Sequence, residues 1–436
     1  MSMRRFHMQQ RQMKLFAFAI VIAVALALAA SGCKGSRNVD RAGTDSDSSS
    51  LLAPERQGPA RPWIQTRQEL TLFSANDGQA HIRLDTEMRI DKKSFTPDSI
   101  TIVHLGPDHP PLARTVYGTA PNTILGAPYQ AITKDGHYAF VICHGLGLFG
   151  PKEKNLLSVI DLSLPDLAVV QKVNIPSPSM VLAHPDGRHI IVAYPAGFKV
   201  FEMQGGRLVL AKDNQVGFIP DSMDISTKGD RIVATVLNAP DGYSVGVHVF
   251  SYQDGVIEHQ HEVQVPKGFP PFNRPFAMRF SPDGKRVLVP NGDGMGTKGR
   301  LDDVLSVDMT LDPPAVTEVI PQVADGIESL AFHPKGHMAV IACLEDLPWL
   351  AASAYSHLAV IDLTSQPARV LYDVNVEPFP EGIEFTPDGS QLFVQLTSAN
   401  HIAVFDVDGF MLRRSPFVIR VGHGPSSMAI GPRFVK

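Results

Sequence analysis

Three carboxyl residues occupy equivalent places in a pattern that recurs along the chain. Asp221, Glu328 and Glu381 each stand eight residues before a glycine of a repeated tight-turn sequence. If the copies surround one axis, these acids lie around one ring, with Arg274 and His423 slightly further out. Acids held close together repel and raise one another's pKa unless a cation, an arginine or water offsets the charge. Two interpretations follow: a solvated rim partly neutralised by Arg274, or a site that binds a cationic ligand or a metal through oxygen atoms.

The pattern that aligns these acids has six clear copies. They include "HPDGRHIIV" at 184, "SPDGKRVLV" at 281 and "TPDGSQLFV" at 386, and their glycines are at positions 136, 187, 229, 284, 336 and 389. Each copy predicts an apolar strand, a turn in which glycine supplies a positive φ, and a second strand rich in β-branched residues. A third strand follows, as in "SVIDL" at 158 and "LAVIDL" at 358, and a more variable fourth strand closes the unit.

Four-stranded units spaced by 42 to 55 residues are typical of a β-propeller. We therefore predict an all-β fold with seven blades. Six units are complete, and the chain ends supply the seventh: "SSMAIGPRFV" at 426 repeats a first strand, and "SITIVHLGPDHPPLARTVYGT" at 99 matches a third and a fourth strand. Pairing the two ends in one composite closing blade leaves neither end with an open edge. Eight blades are the alternative if residues 66 to 95 form more than the missing second strand.

The copies resemble the bacterial YVTN-type propeller repeats, whose units join a Pro-Asp-Gly turn to a Val-Ile-Asp strand. The resemblance covers residues 66–436, although the second strands end in sequences such as "VICHG" and "VLVPNG" where the family has a Val-Asn-like ending. Relatives with this architecture include lactonase-like hydrolases, haem-binding domains, amine-dehydrogenase subunits and binding scaffolds, so the resemblance implies the fold more than the chemistry. None of their catalytic sets maps onto this chain; the catalytic residues and the cofactors stay unknown, and no metal is assigned.

The N-terminal segment has the features of a secretory signal followed by a lipidation site. Four basic residues and no acid precede an apolar stretch that ends in small residues at Ala30. Ala30-Ser31-Gly32-Cys33 resembles the bacterial lipobox, in which the preceding segment is removed and the cysteine is lipidated. This interpretation makes residues 1–32 the signal peptide, residues 33–65 the lipidated Cys33 with a flexible tether, and residues 66–436 the propeller. A plain signal peptide cut nearby is the alternative.

The anchor and the composition limit the partners. Attachment through several acyl chains, palmitate among them, is stable and would place the protein at a bacterial membrane. Lys34 favours the outer membrane, on its periplasmic side or at the cell surface. A formal net charge of -5 disfavours nucleic acid as a partner. Cys143 and Cys343 lie in blades that are not neighbours, so we expect no disulfide between them.

The loops between second and third strands lie on the face that propellers commonly use for binding. Three of these loops are long, and they are glycine-rich or aromatic. Loops on a rigid scaffold often carry function, and aromatic tips suit contacts with a protein or a small molecule. The candidate residues on this loop face are His144, Asp293, Glu345, Trp349 and Tyr355.

Several other motif matches have a structural explanation. "GLGLFG" at 145 fits a dinucleotide-binding loop, but Pro151 and a strand follow where that fold needs a helix. "NGDGMGTKGRLD" at 291 approaches a calcium-loop spacing but has Met295 where an oxygen ligand belongs. His259 and His261 have a chelating spacing on a strand that should be exposed. The acids that recur at the ends of third strands are expected to accept turn hydrogen bonds; they are Asp161, Glu202, Asp308, Asp362 and Asp406.

Two functions from different classes stay open. The first is a membrane-tethered extracytoplasmic propeller that acts as a binding or scaffold protein through its loop face, because no nucleophile, base or cofactor motif stands out. The second is a propeller enzyme or redox subunit, either lactonase-like or bearing a cofactor or metal, with its site at the mouth of the central tunnel. The second function requires polar groups that converge on that tunnel.

The lipidation site gives a direct prediction. Labelled palmitate should enter the wild-type chain and should be absent from Cys33→Ser, because the thiol is the acceptor of the acyl chain. The variant should also leave the membrane fraction for the soluble one. Equal labelling of the two proteins would contradict the assignment.

Overall fold

The computed structural model describes most of the chain after its first 62 residues. The described residues are 63–78, 96–118, 130–143, 146–147, 150–151, 155–164, 168–272, 275, 277–292, 301–344 and 356–434. Cys33, its leader and most of its tether therefore lie outside them. Within these ranges, no helix is long and apolar enough to cross a membrane.

Seven four-stranded antiparallel sheets form the blades of a β-propeller. The following strands are given from the innermost to the outermost. Blade 1 contains β4 (Gln130–Ile132), β5 (Tyr138–Cys143), β8 (Leu156–Asp161) and β9 (Ala168–Asn174). Blade 2 contains β10 (Met180–Ala183), β11 (His189–Tyr194), β12 (Gly197–Gln204) and β13 (Arg207–Asn214). Blade 3 contains β14 (Ile219–Ile225), β15 (Arg231–Asn238), β16 (Val247–Gln253) and β17 (Val256–Glu262).

The remaining blades follow the same plan. Blade 4 contains β18 (Arg279–Phe280), β19 (Arg286–Asn291), β20 (Asp302–Asp308) and β21 (Ala315–Ala324). Blade 5 contains β22 (Ile327–Phe332), β23 (Met338–Cys343), β24 (Ser356–Asp362) and β25 (Arg369–Val376). Blade 6 contains β26 (Pro380–Phe385), β27 (Gln391–Leu396), β28 (His401–Asp408) and β29 (Met411–Arg420), with a short 3-10 helix at Thr397–Ala399. Blade 7 contains β30 (Pro425–Pro432), β1 (Leu70–Asn76), β2 (Ser99–Leu105) and β3 (Leu112–Tyr117).

Blade 7 is the composite closing blade that the sequence predicts. The C-terminal strand β30 is its innermost strand, and β1 pairs with β30 on one side and with β2 on the other. Leu70 therefore faces Pro432 in one register and Leu105 in the other. The innermost strands of all seven blades contact one another in sequence, from blade 1 round to blade 7 and back to blade 1. The prediction of seven blades is confirmed, and β1 is the second strand that was missing from the seventh copy.

Burial changes from the inside of a blade to its outside. Second strands such as β11, β23 and β27 are buried along their whole length, because neighbouring blades cover both of their faces. Fourth strands such as β13 and β29 have mostly exposed residues. Each buried Val, Ile or Leu side chain contributes roughly 1.5 to 3 kcal/mol relative to exposure. The β-branched runs of the sequence thus become the apolar layers between the blades.

The repeated turn exists in two chemical versions. In blade 4, the Ser281 hydroxyl donates to Asp283 at 2.6 Å and the amide of Gly284 donates to the Ser281 carbonyl at 2.8 Å. In blade 2, His184 replaces the hydroxyl residue and reaches the next blade, where its Nε2 lies 2.9 Å from the carbonyl oxygen of Gly229. His333 of blade 5 makes the same contact with Gly389 of blade 6 at 3.1 Å. These histidines join consecutive blades at the turn face.

Several structural explanations offered for sequence motifs are confirmed. Asp161, Asp308 and Asp362 accept hydrogen bonds from the residues that turn away from their strands, at 2.6 to 2.8 Å. The prediction was wrong for Glu202 and Asp406, which instead accept hydrogen bonds from the side chains of Arg188, just before the neighbouring strand, and Gln391, within it. The "GLGLFG" segment contains the short strands β6 (Leu146–Gly147) and β7 (Gly150–Pro151), which pair as a hairpin. Cys143 and Cys343 are buried, and no disulfide joins them.

The contact between His184 and blade 3 gives a prediction about stability. Gly229 has a φ of 78°, and a Cβ added there would lie 2.5 Å from the His184 ring. Gly229→Ala should lower the free energy of unfolding by about 2 to 4 kcal/mol, since it adds left-handed strain and breaks a buried hydrogen bond. Gly409→Ala is the control, because Gly409 has a φ of 60° with no atom within 4 Å of the added Cβ. Urea unfolding of both variants measures the difference, and equal losses would contradict a role for His184.

Candidate functional site

The central tunnel carries charged side chains in two tiers. The mouth tier consists of Asp77, Asp221, Glu328 and Glu381, which lie at the end where the innermost strands begin. The inner tier consists of Asp224, Arg279 and Glu384, which stand three residues further along β14, β18 and β26. Three residues of strand span about 10 Å, so the two tiers occupy different depths of the tunnel.

Glu328 and Glu381 form the centre of the mouth tier. They belong to the neighbouring blades 5 and 6, their exposed fractions are 4% and 1%, and a hydrogen bond joins their carboxyl groups. Burial raises the pKa of Glu328 to about 8, although the hydrogen bond with Glu381 lowers it in part. Burial, followed by the negative charge of Glu328, raises the pKa of Glu381 well above its usual range. A hydrogen bond between two carboxyl groups requires that one of them be protonated, which agrees with the raised pKa of both residues.

Asp77 brings a third carboxyl group to the pair. It directly follows β1 of blade 7, is fully buried, and its charge contributes to the raised pKa of Glu381. The amide of Asp77 donates to the carbonyl of Gly424 at 2.7 Å, which places Asp77 beside the loop that holds the sequence candidate His423. Blades 5, 6 and 7 therefore each contribute one carboxyl group to the same region.

Asp221 lies in the mouth tier of blade 3 but interacts with none of these acids. Burial is the one cause that raises the pKa of Asp221, to about 6. Blade 3 is separated from blade 5 by a whole blade, so an equivalent position in the repeat does not bring Asp221 to the pair. Arg274 of blade 4 lies outside the described residues. So do the five loop-face candidates, which are His144, Asp293, Glu345, Trp349 and Tyr355.

The inner tier connects blades that are not neighbours. Burial raises the pKa of Glu384 to about 7, while the charge of Arg279 acts to lower it and that of Asp224 to raise it. Glu384 belongs to blade 6 and Asp224 to blade 3, so the charge of Asp224 acts on Glu384 across the tunnel. Asp224 also accepts a hydrogen bond from the amide of Phe280 at 2.7 Å. Arg279 is thus the positive charge that partly balances two acids at this depth.

The sequence analysis did not find the inner tier or Asp77. The sequence does carry a signal for the inner tier. Five residues before the turn glycine of their copies stand Asp224, Arg279 and Glu384, which is three residues after the aligned position of the mouth acids. Asp77 had no such signal, because the strand before it belongs to the copy that is split between the chain ends.

A second cluster lies at the turn face of blade 2. Ligand-type atoms of His184, Asp186 and His189 lie within 4.8 Å of one another. Both ring nitrogens of His184 already have partners: its Nε2 contacts the carbonyl oxygen of Gly229, and its Nδ1 accepts a hydrogen bond from the Asp186 amide at 3.1 Å. The Asp186 carboxylate in turn lies 2.6 Å from His189 Nδ1. His333 makes the same two contacts in blade 5, where Lys335 takes the place of Asp186. His184 therefore serves the connection between blades.

His259 and His261, which have a chelating spacing in the sequence, bind different partners. His259 Nε2 lies 3.1 Å from His248 Nδ1 and its ring stacks on Phe218 at 4.7 Å. His261 lies 3.3 Å from a carboxylate oxygen of Asp312 in the loop of the next blade. Each histidine is thus engaged within its own surroundings.

Comparison with known proteins supports the fold. No protein-family model and no curated protein matches the chain. Solved structures do: the Pseudomonas aeruginosa periplasmic gluconolactonase has a TM-score of 0.55 and 16% identity, covering 82% of this chain and 99% of its own. A proposed 6-phosphogluconolactonase of Bacteroides uniformis has a TM-score of 0.57 and 16% identity, with 84% and 100% covered. Kuenenia stuttgartiensis hydrazine synthase has a TM-score of 0.51 and 17% identity, with 72% and 92% covered. At these identities the likeness shows the propeller fold alone.

The raised pKa of Asp221 predicts how stability changes with pH. Since the folded pKa of about 6 exceeds the ordinary aspartate value of 3.8, stability is lost as pH rises through this interval. Asp221→Asn should therefore gain about 2 to 3 kcal/mol relative to wild type between pH 4 and pH 8. Asp283→Asn is the control. The Ser281 hydroxyl lowers the pKa of Asp283, so the stability of this variant relative to wild type should fall, and not rise, as pH increases. Urea unfolding across pH measures both, and a pH-independent difference for Asp221→Asn would contradict the prediction.

Proposed function

We propose that this chain is an exported, lipid-anchored β-propeller that binds a positively charged ligand at the mouth of its central tunnel. The ligand contacts the acidic group formed by Glu328, Glu381 and Asp77. The proposal joins the binding role expected from the sequence with the tunnel site expected for its alternative.

The observation that carries this proposal is the burial of three carboxyl groups from three consecutive blades. Their exposed fractions are 4%, 1% and 0%. Burying a charged carboxylate is costly unless an opposite charge or hydrogen bonds compensate. Among the described residues, no lysine or arginine acts on the pKa of Glu328 or Glu381. A cationic ligand would supply the missing positive charge.

Features of the N-terminal segment support the location. The lipobox-like Ala30-Ser31-Gly32-Cys33 follows a basic and apolar leader, and the residues between Cys33 and the propeller are mostly polar. The tunnel mouth would then be accessible to small molecules outside the cytoplasm.

A second candidate function is the hydrolysis of a lactone. A hydrogen bond joins the carboxyl groups of Glu328 and Glu381. With one group protonated, the carboxylate would take a proton from attacking water and the carboxylic acid would give a proton to the departing ring oxygen. The structural neighbours described as gluconolactonases make lactones the substrates to test. The adjacency of the two buried carboxyl groups is the specific observation in favour of this candidate.

Ligand-induced stabilisation tests the proposal on the purified full-length chain. A panel of Ca²⁺, Mg²⁺, Mn²⁺, spermidine and choline should contain at least one cation that raises the Tm by roughly 3 to 8 °C at saturation. The double variant Glu328→Gln and Glu381→Gln should lose this shift, whereas Asp241→Asn with Glu258→Gln, which removes two exposed acids of blade 3, should keep it.

The same proteins separate the two candidate functions. Turnover of δ-gluconolactone that disappears in the Glu328 and Glu381 variant, with no shift from any cation, would favour hydrolysis. An absence of both stabilisation and turnover would refute the tunnel mouth as the functional site.

A further inference from the structure

We infer that the turn face of blade 2 carries a binding site for a divalent metal ion of the zinc class, formed by His184, Asp186 and His189. The site follows the end of β10, whereas the mouth tier stands where the innermost strands begin, so the inference does not depend on the proposed function. Three observations carry it: the placement of three ligand atoms, the position of the ring proton of His184, and the corresponding turn of blade 5.

Three ligand atoms from three different side chains converge at this turn. The Nδ1 atoms of His184 and His189 lie 3.0 Å and 2.6 Å from Oδ2 of Asp186. The ligand atoms of all three residues lie within 4.8 Å of one another. A tetrahedral zinc ion with bonds of about 2.0 to 2.1 Å places its ligand atoms about 3.3 Å apart. A small widening of the two contacts therefore admits the ion.

Hydrogen bonds around His184 show where its ring proton lies. Its Nε2 lies 2.9 Å from the carbonyl oxygen of Gly229, which can only accept, so Nε2 carries the proton. Its Nδ1 accepts from the Asp186 amide at 3.1 Å and therefore presents a lone pair. The same Nδ1 lies 3.0 Å from a carboxylate oxygen of Asp186, and two acceptors at this distance repel. A metal ion bound by both atoms turns this repulsion into attraction.

The existing partners of His184 are compatible with a bound metal. Metal-binding histidines commonly donate their second ring N–H to a backbone carbonyl, which fixes the tautomer, and Gly229 provides that carbonyl. The amide that now bonds Nδ1 belongs to the exposed residue Asp186, so water can replace its acceptor. Tyr252 packs against the His184 ring at 4.1 Å between centroids and helps to hold it in place.

The corresponding turn of blade 5 separates the structural role from metal binding. His333 has the same two contacts as its counterpart in blade 2, one with a carbonyl of the next blade and one with an amide of its own turn. Joining the blades therefore requires neither Asp186 nor His189, since Lys335 and Met338 occupy those positions in blade 5. The two side chains of blade 2 are available for another role, and each adds a metal-type ligand.

The donor set selects the class of metal. Two imidazole nitrogens and one carboxylate match zinc sites with three protein ligands, in which a fourth position stays open. Calcium and magnesium prefer sites made of oxygens. The Asp186 side chain is 34% exposed, against 7% for each histidine side chain, so the open position faces solvent. A water or an external ligand can complete the coordination.

Metal binding to the purified full-length chain tests the inference. Isothermal titration with Zn²⁺ should give one more equivalent per chain for wild type than for Asp186→Lys with His189→Met, a double variant that copies the turn of blade 5. Asp186→Asn, which keeps an acceptor for the turn amides, should weaken this equivalent by roughly tenfold or more. Co²⁺ should give the visible absorption of a four-coordinate ion in wild type and lose it in the double variant. His261→Asn is the control, because His261 and Asp312 belong to no group of three ligands among the described residues.

The outcomes separate this site from the tunnel mouth. Glu328→Gln with Glu381→Gln should keep the zinc equivalent, because those acids lie where the innermost strands begin. Equal Zn²⁺ stoichiometry in wild type and in the double variant of blade 2 would overturn the inference. Displacement of Zn²⁺ by an equal concentration of Ca²⁺ would also overturn it. If the double variant does not fold by circular dichroism, Asp186→Asn provides the same test.

Discussion

The pairing of β1 with β30 is the interaction on which the whole ring depends. Every other blade forms from consecutive strands, but blade 7 joins residues 70–76 to residues 425–432. Closing a loop of that length is entropically costly, although the cost grows only slowly with length. Once the pairing forms, neither end strand presents an open edge, and seven innermost strands enclose one tunnel.

Ring closure and the candidate site are physically linked. Asp77 follows β1 directly, so the third carboxyl group of the mouth tier is in place only when the closing blade has formed. A hydrogen-bond network from Ser329 through Gln395 to Ser74 likewise crosses from blade 5 to blade 7. Fully bonded polar networks specify one arrangement of a core, because any slip leaves buried groups unpaired. The closing blade therefore sets both the shape of the tunnel and the geometry of its mouth.

Differences among the copies give a nearly symmetric scaffold one functional side. The mouth tier is acidic in blades 3, 5, 6 and 7, whereas the corresponding place in blade 2 is Ser179, whose hydroxyl donates to the carbonyl of Pro220 at 2.9 Å. In the inner tier, blades 1 and 2 have Ala131 and Leu182 where blade 4 has Arg279. The turns differ too, with histidine in blades 2 and 5 joining each of these blades to its successor. The repeats supply the frame, and a few polar exceptions supply the chemistry.

Short-range sequence patterns were sufficient to predict the fold and three of the acids at the tunnel mouth. Turn glycines with positive φ, β-branched second strands and a split seventh copy identify a seven-bladed propeller with a composite blade, since these signals come from residues close together in sequence. The same alignment placed Asp221, Glu328 and Glu381 at one end of one tunnel. It could not show that the carboxyl groups of Glu328 and Glu381 interact while Asp221 stands apart, because their distances depend on which blades are neighbours.

Only the tertiary structure brought in Asp77, and only it showed the inner tier acting across the tunnel. Asp77 belongs to a copy whose strands are separated by most of the chain, so no local spacing relates it to Glu381. The charge of Asp224 in blade 3 raises the pKa of Glu384 in blade 6, because the ring turns both strands toward one axis. Sequence determines which side chains each blade carries toward the tunnel. Closure of the ring decides which of them interact, since electrostatic coupling depends on distance through space and not along the chain.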